Sequence, residues 1–525
     1  MTFGLLFGAL SLSAQVEIGP LGEGIGNYLS PELVHENDSH LFFVARLDIG
    51  NADLMKVNRT TLEIERHSIF EIHVERKMEH VLQRWMVRND TLVFFVYYDH
   101  RKEKHRELWV HQMDLNSGEV IAERVLKHHD YHAFMDQNFM DIWYHEKTDH
   151  YYLFEIHKGY KGSQIKETLS ILSSSFEELN QIDYASNGPL KTSIARPLFG
   201  NDGSVFFFSP PHIIHLDAQN DFESSSVSIP ENLIIDPLIY LELQDSWLLD
   251  NGNPMFHCTH KKHQDKMSFP ILRAQESSEL KEGIYLLEYD LQSKTLKPAI
   301  KHRLQEGSMK IYTYFGGMLS GPRTPMRSAF GASNYPESGL GHDVASLQDS
   351  SGNRFYTIAH TNRSATRVGS NLFSSFHQYD RFVYTLDNQY NLLWYKNIDY
   401  LSKSMVNQFD MYVYDAYLEY KFLSENGALL ILYNELDENL TIDDYEEREP
   451  LEEVEDGIPV IDKIDPATGE HVQIIVDHLL DPEDEDLYLD VHSLFKSTID
   501  NKYYYILSEE ERLKVARASY IIPKE

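Results

Sequence analysis

The stretch LVFFVYYDHRKEKHRELWVHQMDLNSGEVI, residues 92–121, contains the unit that decides the fold. It begins with an aromatic-rich apolar run, passes through a charged segment, and continues as a second strand into the turn DLNSGE at Asp114. Short runs of aromatic and β-branched residues are typical of strands buried between two layers. Asp and Asn bond their own backbone and Gly adopts positive φ, so this turn composition reverses a hairpin. Residues 92–121 therefore predict two antiparallel strands.

The same unit recurs along the whole chain. Its aromatic-rich strand occurs eight times, as LFFVARL from Leu41, LVFFVYY from Leu92, YYLFEI from Tyr151, SVFFFS from Ser204, PMFHC from Pro254, RFYTIA from Arg354, ALLILY from Ala428 and KYYYIL from Lys502. Matching turns begin at Asn58, Asp114, Ser173, Asp217, Asp290, Asp387 and Asp465. We therefore predict an all-β protein, a β-propeller of about eight four-stranded blades. Seven blades, or two smaller β-domains, are the alternatives.

The eighth copy, LKVARASYII from Leu513, has no turn after it. A closed propeller often completes its last blade with a strand from the other terminus, because this removes an exposed edge. The residues after Gln15 are predicted to supply that strand. Residues 15–525 are thus predicted to form a single propeller domain with long loops at 260–282, 318–342 and 434–457.

Residues 2–14, TFGLLFGALSLSA, form a short apolar run that ends in small residues. The pattern predicts a signal peptide over residues 1–14 and an exported protein, periplasmic or extracellular, with an apolar N-terminal strand as the alternative. No other stretch approaches eighteen apolar residues, so no transmembrane helix is predicted. Cys258 is the one cysteine of the chain, which excludes an intramolecular disulfide framework and a multi-cysteine zinc or iron–sulfur site.

The formal net charge of −35 argues against nucleic acid as a partner, because the surface would repel a polyphosphate backbone. Basic residues nevertheless gather in the predicted connections between the second and third strands of the blades. Windows 99–107, 157–168, 260–266 and 361–367 together hold twelve basic and five acidic residues, a net charge of +7. Loops on a rigid scaffold commonly carry binding sites, so this pattern predicts one functional face for an anionic ligand. The predicted ligand-binding residues are Arg101, Lys102, Lys161, His260, Lys262, Arg323, Arg327, Arg363 and Arg367.

Longer connections are also predicted at 361–380 and 434–457. The segment 318–342 is rich in Gly, Ser and Pro and cannot form a regular element; an ordered lid and a plain insertion are both open readings. Residues 435–456 hold twelve acidic residues and one basic residue, without the spacing of an EF-hand, and predict a solvated loop rather than a calcium site.

Two histidine-rich segments, HCTHKKH at 257–263 and KHHDYH at 127–132, do not predict a metal site. In the first, strand alternation places Cys258 and His260 on one face and His257 on the other, which offers two ligands at most. No hydrolase, nucleotide-binding or zinc-protease motif occurs, and no cofactor is predicted. The phrases MDLNSGEVI and IDPATGEHV resemble the blade endings of kelch, WD40 and quinoprotein propellers, but the residues that distinguish those families are missing.

The sequence therefore favours a non-catalytic binding or scaffold protein that uses the face with the long connections, for a protein partner or an anionic glycan. The second hypothesis is a propeller enzyme, a hydrolase or lyase, that acts on a glycan or another polymer. The third is a structural subunit of an envelope complex, which predicts a contiguous apolar patch on the rim. The oligomeric state is not predicted.

Overall fold

The computed structural model describes residues 16–23, 29–48, 51–71, 78–100, 103–130, 137–158, 165–184, 197–209, 212–230, 233, 239–262, 283–304, 341–368, 371–398, 402–407, 420–442, 457–483, 487–509 and 512–522. These residues form eight antiparallel sheets, and the chain runs through each sheet as a meander. The helical elements are short 3-10 turns, at Ala218–Asn220, Asp437–Thr441 and Asp477–Leu479. Within the described residues, no helix has the length and apolar character needed to cross a bilayer.

We number the strands in chain order and the sheets as blades. Blade 1 contains β3–β6, at Leu29–Glu36, His40–Asp48, Asn51–Asn58 and Ile64–Glu71; blade 2 contains β7–β10, at Met78–Arg88, Thr91–His100, His105–Asp114 and Val120–Asp130. Blade 3 contains β11–β14, at Gln137–His145, His150–Lys158, Ile165–Leu172 and Glu178–Tyr184; blade 4 contains β15–β18, at Leu198–Phe199, Val205–Ser209, His212–Asp217 and Glu223–Ser228.

Blade 5 contains β19–β23, at Ile239–Leu248, Pro254–Lys262, Gly283–Asp290, Thr295–Leu296 and Ile300–Arg303; blade 6 contains β24–β28, at Gly341–Gln348, Arg354–Val368, Asn371–Leu386, Leu392–Ile398 and Ser402–Asn407. Blade 7 contains β29–β32, at Lys421–Glu425, Ala428–Glu435, Ile458–Ile464 and His471–Ile475; blade 8 contains β33–β35, at Tyr488–Lys496, Tyr503–Glu509 and Arg512–Ala518, together with β1 at Val16–Ile18 and β2 at Gly22–Glu23.

Eight apolar clusters join the blades into a closed ring. The aromatic-rich run of each unit is the second strand of its blade, and both of its faces are buried. In β4, Leu41 and Phe43 pack against blade 8, whereas Phe42 and Val44 pack against blade 2. Equivalent clusters join every following pair of blades. Each buried apolar side chain contributes about 1.5–3 kcal/mol, so these layers dominate the stability of the ring.

The prediction of an eight-bladed propeller is confirmed, and the alternatives of seven blades or two smaller β-domains are wrong, because blade 8 packs back onto blade 1. The ring is completed by the N-terminal strand, as predicted. In the pairing of β1 with β35, Val16 lies opposite Ala518 and Ile18 lies opposite Ala516. The outermost position of blade 8 is therefore filled from the opposite end of the chain, which leaves β35 without a free edge there.

A charged network ties blade 8 to blade 1, and we call Arg59, Glu36 and Asp500 the seam network. The guanidinium of Arg59 lies 3.1 Å from Glu36 Oε2 and 3.2 Å from Asp500 Oδ1. Both carboxylates have further donors. Glu36 Oε1 accepts hydrogen bonds from the Thr498 N–H and hydroxyl, and Asp500 Oδ2 accepts one from the Tyr504 hydroxyl. Every charge of the seam is thus paired or hydrogen-bonded.

The seven predicted turns share one construction. The first residue of each turn accepts backbone N–H groups through its side chain; Asp387 Oδ1, for example, accepts from Gln389 and Asn391 at 2.8 Å. A residue with positive φ follows in each turn, and it is glycine in only two of them, Gly118 and Gly469. A β-carbon on Gly118 would lie 2.0 Å from the Ser68 hydroxyl of blade 1, so this turn is also packed against its neighbour.

Candidate functional site

The meander gives each blade two ends with different loops. Connections between the first and second strands and between the third and fourth strands lie at one end, which we call the tight-turn face. Connections between the second and third strands lie at the other end, together with the last residues of each fourth strand, and we call this end the long-connection face. The basic windows of the sequence belong to the long-connection face.

Some of the predicted long connections are strands in the structure, and others lie outside the described residues. Most of window 99–107 is strand, because β8 ends at His100 and β9 begins at His105. Window 361–380 is not a long loop: β25 and β26 extend as a hairpin that leaves only residues 369–370 between them, and the predicted connection is wrong there. Residues 159–164, 263–282 and 443–456 connect second to third strands and lie outside the described residues, as does 318–340.

Four of the predicted ligand-binding residues lie in strands. His260 and Lys262 end β20 of blade 5, where His260 lies opposite Leu241 and Gly283. Arg363 and Arg367 lie in the outer half of β25 in blade 6, opposite Phe376 and Leu372. Arg101, Lys102, Lys161, Arg323 and Arg327 lie outside the described residues. The prediction of a shared anion site therefore remains a prediction.

The segment around Cys258 follows the predicted alternation. Cys258 is buried between blades 4 and 5, whereas His257 is buried between blades 5 and 6. His257 Nε2 lies 2.7 Å from the Tyr384 hydroxyl, and its ring lies 4.3 Å from that of Tyr356. Burial, with a smaller contribution from the charge of Arg354, lowers the pKa of His257 to about 3. This histidine is a neutral group of the core.

Four other side chains converge at the long-connection face of blade 2, and we call His100, His105, Glu107 and His128 the histidine cluster. His100 ends β8 and lies directly opposite His105, which begins β9. Glu107 lies two residues further along β9 and pairs with His128 of β10. Because side chains alternate along a strand, His105 and Glu107 share one face of the sheet. The strand register thus assembles three imidazoles around one carboxylate.

The spacing within the histidine cluster is close. The ring of His105 lies between the other two, with centroid distances of 4.2 Å to His100 and 4.7 Å to His128. The Glu107 carboxylate lies 3.4 Å from His100 Nε2, 3.8 Å from His105 Nε2 and 3.1 Å from His128 Nδ1. His128 is 48% exposed, whereas the other three side chains are largely covered. The cluster therefore opens to solvent on the side of His128.

Neighbouring groups stabilise the charged form of both Glu107 and His128. Partial burial raises the pKa of Glu107, but hydrogen bonds from Trp109 and His128 outweigh this effect and hold the pKa below its usual value. A hydrogen bond to Glu107, supported by Asp130, raises the pKa of His128 despite a small opposing effect of burial. In the described part of the chain, two sets of side chains have ligand atoms within 4.8 Å of one another: His105, Glu107 and His128, and His100, Glu103 and His105.

Sequence reasoning named His128 and its neighbours but did not connect them with residues 99–107, which it treated as a basic window. The residues of the cluster form a visible pattern in the sequence. His100, His105 and Glu107 follow H-x4-H-x-E across the hairpin of β8 and β9, and HHD occurs at 128–130. Only the pairing of β9 with β10 joins the two segments.

Several solved structures align with the chain at low identity. The WD40 domain of SCAP from fission yeast aligns over 97% of this chain and 99% of that chain, with 9% identity and a TM-score of 0.36. The β-propeller domain of the trilobed protease from Pyrococcus furiosus aligns over 88% and 98%, with 10% identity and a TM-score of 0.32. The acylaminoacyl peptidase of Pyrococcus horikoshii aligns over 92% and 58%, with 10% identity and a TM-score of 0.32.

No protein-family model matches the sequence, and no curated protein matches it. Similarity at this level concerns the fold and carries no functional argument.

Proposed function

We propose that the protein is an exported binding or scaffold protein that holds an anionic ligand, such as an anionic glycan, at the long-connection face. The observation that carries the proposal is the net charge of +7 in four windows at the outer ends of second and third strands and in the connections between them, in blades 2, 3, 5 and 6, within a chain of −35. Arg and Lys recognise carboxylate, sulfate and phosphate groups by charge-assisted hydrogen bonds.

The acidic connection of blade 7 limits where the ligand can bind. This connection joins β30 to β31 and therefore belongs to the same face, and its residues 436–456 hold eleven acidic side chains and one basic side chain. Like charges repel an anionic ligand from this sector. The proposed site accordingly lies on the arc that runs from blade 2 to blade 6.

The alternative of a glycan-cleaving enzyme makes a different demand on the carboxyl groups. A glycosidase needs one carboxyl group with a raised pKa to act as the general acid. Glu107, Glu288 and Asp500 do not meet this demand, because hydrogen bonds hold the pKa of each below its usual value. These three carboxyl groups are therefore not candidates for the general acid.

The alternative of a structural subunit predicts a contiguous apolar patch. The exposed large apolar residues described in the structure are spread over the outer strands of several blades, for example Ile69 in blade 1, Leu179 in blade 3 and Val472 in blade 7. Single apolar residues on a surface are ordinary, so their distribution favours the ligand-binding proposal.

The test uses heparin as a defined anionic polysaccharide and surface plasmon resonance at low and physiological ionic strength. Replacement of Lys262, Arg363 and Arg367 by Gln should weaken binding about tenfold or more, because one charge-assisted hydrogen bond contributes about 1.5–3 kcal/mol. The control variant replaces Lys147, Lys294 and Lys297 near the tight-turn face by Gln, which changes the net charge equally. An equal loss of heparin binding in both variants would show that the long-connection face is not the binding site. Release of shorter polysaccharide chains would favour the hypothesis of a glycan-cleaving enzyme.

Export is proposed on the apolar run of residues 2–14. N-terminal sequencing of the protein recovered from the medium or periplasm should begin at Gln15. An intact N-terminus in the cytoplasmic fraction would reject this part of the proposal.

A further inference from the structure

The histidine cluster has the donor composition of a transition-metal site. Three imidazoles and one carboxylate are ligands that Zn²⁺, Co²⁺, Ni²⁺ and Cu²⁺ accept, whereas Ca²⁺ and Mg²⁺ prefer oxygen ligands alone. The tight spacing of His105, Glu107 and His128 is not needed to hold the blade together, because their strands are already paired and packed through the apolar residues of blade 2. The close spacing of these three side chains therefore needs a reason other than the stability of the blade.

The separations between ligand atoms match a tetrahedral ion. Bonds of about 2.0–2.2 Å to nitrogen and oxygen place neighbouring ligand atoms about 3.3–3.5 Å apart. The Glu107 carboxylate lies 3.1 Å from His128 Nδ1, 3.4 Å from His100 Nε2 and 3.8 Å from His105 Nε2. His105 Nε2 and His128 Nδ1 both lie nearest Glu107 Oε1, whereas His100 Nε2 lies nearest Oε2, and the stacked rings must rotate before their nitrogens converge on one ion.

The nitrogen of His100 gives an independent indication. Its Nε2 atom is buried and makes no hydrogen bond to the described residues, although Glu107 Oε2 lies 3.4 Å away. A buried polar atom without a hydrogen bond carries a cost of about 1–3 kcal/mol. A metal ion beside Glu107 would supply the missing partner for this nitrogen.

The groups around the cluster orient the ligands as in known metal sites. Trp109 Nε1 donates a hydrogen bond of 2.8 Å to Glu107 Oε2, which holds the carboxylate in place. Asp130 Oδ1 lies 3.2 Å from His128 Nε2, and Glu103 Oε2 lies 3.7 Å from His105 Nδ1. A carboxylate at hydrogen-bond distance from one imidazole nitrogen, as Asp130 is from His128, fixes the proton there and leaves the other nitrogen as the ligand.

We propose that His105, Glu107 and His128 bind one divalent transition-metal ion at the long-connection face of blade 2, and that His100, which lies outside this 4.8 Å set, moves in as the fourth ligand. None of its residues belongs to the set of predicted anion ligands, but His100, His105 and Glu107 lie in window 99–107, one of the four windows that support the proposed anion binding. The open side at His128 allows the ion to enter from solvent and to exchange. Zn²⁺ is the probe of choice, since it tolerates imidazole and carboxylate together.

The test is isothermal titration of the full chain, without a histidine tag, with ZnCl₂ at neutral pH. We expect one ion per chain above any weaker surface binding. His105→Gln and His128→Gln should each weaken the affinity by about tenfold or more, and Asp130→Asn by about tenfold, the range seen for second-sphere carboxylates. Circular dichroism verifies that each variant is folded.

The control is His40→Gln in blade 1. His40 Nε2 lies 3.0 Å from Glu65 Oε2, so this variant removes an isolated histidine–carboxylate pair from the other end of a blade. It should leave the stoichiometry and affinity unchanged. Titration with Co²⁺ adds a spectroscopic readout, because tetrahedral Co²⁺ with nitrogen ligands absorbs visible light. Absence of a tight ion in the wild-type chain, or an equal effect of His40→Gln and His128→Gln, would overturn the proposal.

Discussion

The seam network and the histidine cluster are both groups of charged side chains, but they are built in opposite ways. In the seam network one cation serves two carboxylates, and every carboxylate oxygen has a donor. In the histidine cluster three imidazoles surround one carboxylate, and His100 Nε2 makes no hydrogen bond to the described residues. Charge density alone therefore does not mark a binding site. Where hydrogen-bond donors and acceptors balance, as in the seam network, the charged group is structural. Where they do not balance, as in the histidine cluster, a ligand can bind.

The largest expected effect lies in the seam network. Arg59→Met removes the shared cation and leaves the largely covered carboxylates of Glu36 and Asp500 without it, which should lower the free energy of unfolding by about 3 kcal/mol. Urea titration followed by tryptophan fluorescence measures the change. Arg59→Lys keeps the positive charge but loses the paired N–H donors of the guanidinium. It should therefore lower the free energy of unfolding less than Arg59→Met does. An unchanged unfolding midpoint for Arg59→Met would remove the structural role assigned to the seam.

The second effect is a pH dependence of the same network. Partial burial raises the pKa of Asp500, but hydrogen bonds from Tyr504, the Lys502 N–H and Arg59 outweigh it and lower the pKa from 3.8 to about 2. Because the folded-state value is depressed, the stabilisation is fully present above pH 3.8 and is lost as the pH falls through 2. We expect a contribution of about 1–2 kcal/mol, reduced by partial solvent access.

Urea titrations of the wild-type chain and of Asp500→Asn at several pH values measure this contribution. The difference between the two proteins should shrink as the pH is lowered through this window. A difference that stays constant down to acid pH would show that Asp500 does not act through its charge.

The smallest effect is expected in the histidine cluster. His128 is 48% exposed, and an exposed ion pair contributes about 0–1 kcal/mol. His128→Gln in metal-free buffer should therefore change the free energy of unfolding by about 0.5 kcal/mol or less, in contrast with Arg59→Met. Parallel urea titrations with a chelator present provide the measurement. A loss of unfolding free energy as large as that caused by Arg59→Met would show that the histidine cluster has a structural role like that of the seam network.

The fold could be predicted from local signals because each blade repeats them. The second strand of a blade is buried on both faces, so its sequence is a continuous apolar run, as in LVFFVYY of β8. The turns were recognisable because Asp387 and its counterparts cap their own backbone. The first and fourth strands were less visible, since partly exposed strands such as β10 lack an apolar pattern.

The histidine cluster could not be predicted because it depends on two irregularities in one strand pair. The register of β9 with β10 shifts between Val120 and Ala122 and again between Val125 and Lys127. Without those shifts, the pairing of Val120 with Met113 would continue and place His128 opposite His105 instead of Glu107. A bulge of this kind changes which side chains meet, and the residues of β10 give no local signal for it.

The closure of blade 8 by β1 has a kinetic consequence. Glu17 and Arg517 are 500 positions apart, so the last pairing of the ring joins two segments that are synthesised far apart in time. Contacts of such long sequence separation form late and slowly. Up to that moment β35 presents an unpaired edge on which the matching strand of a second chain can dock. The pairing of β1 with β35 completes one molecule, and it is also the point at which two nascent molecules can exchange their N-terminal strands.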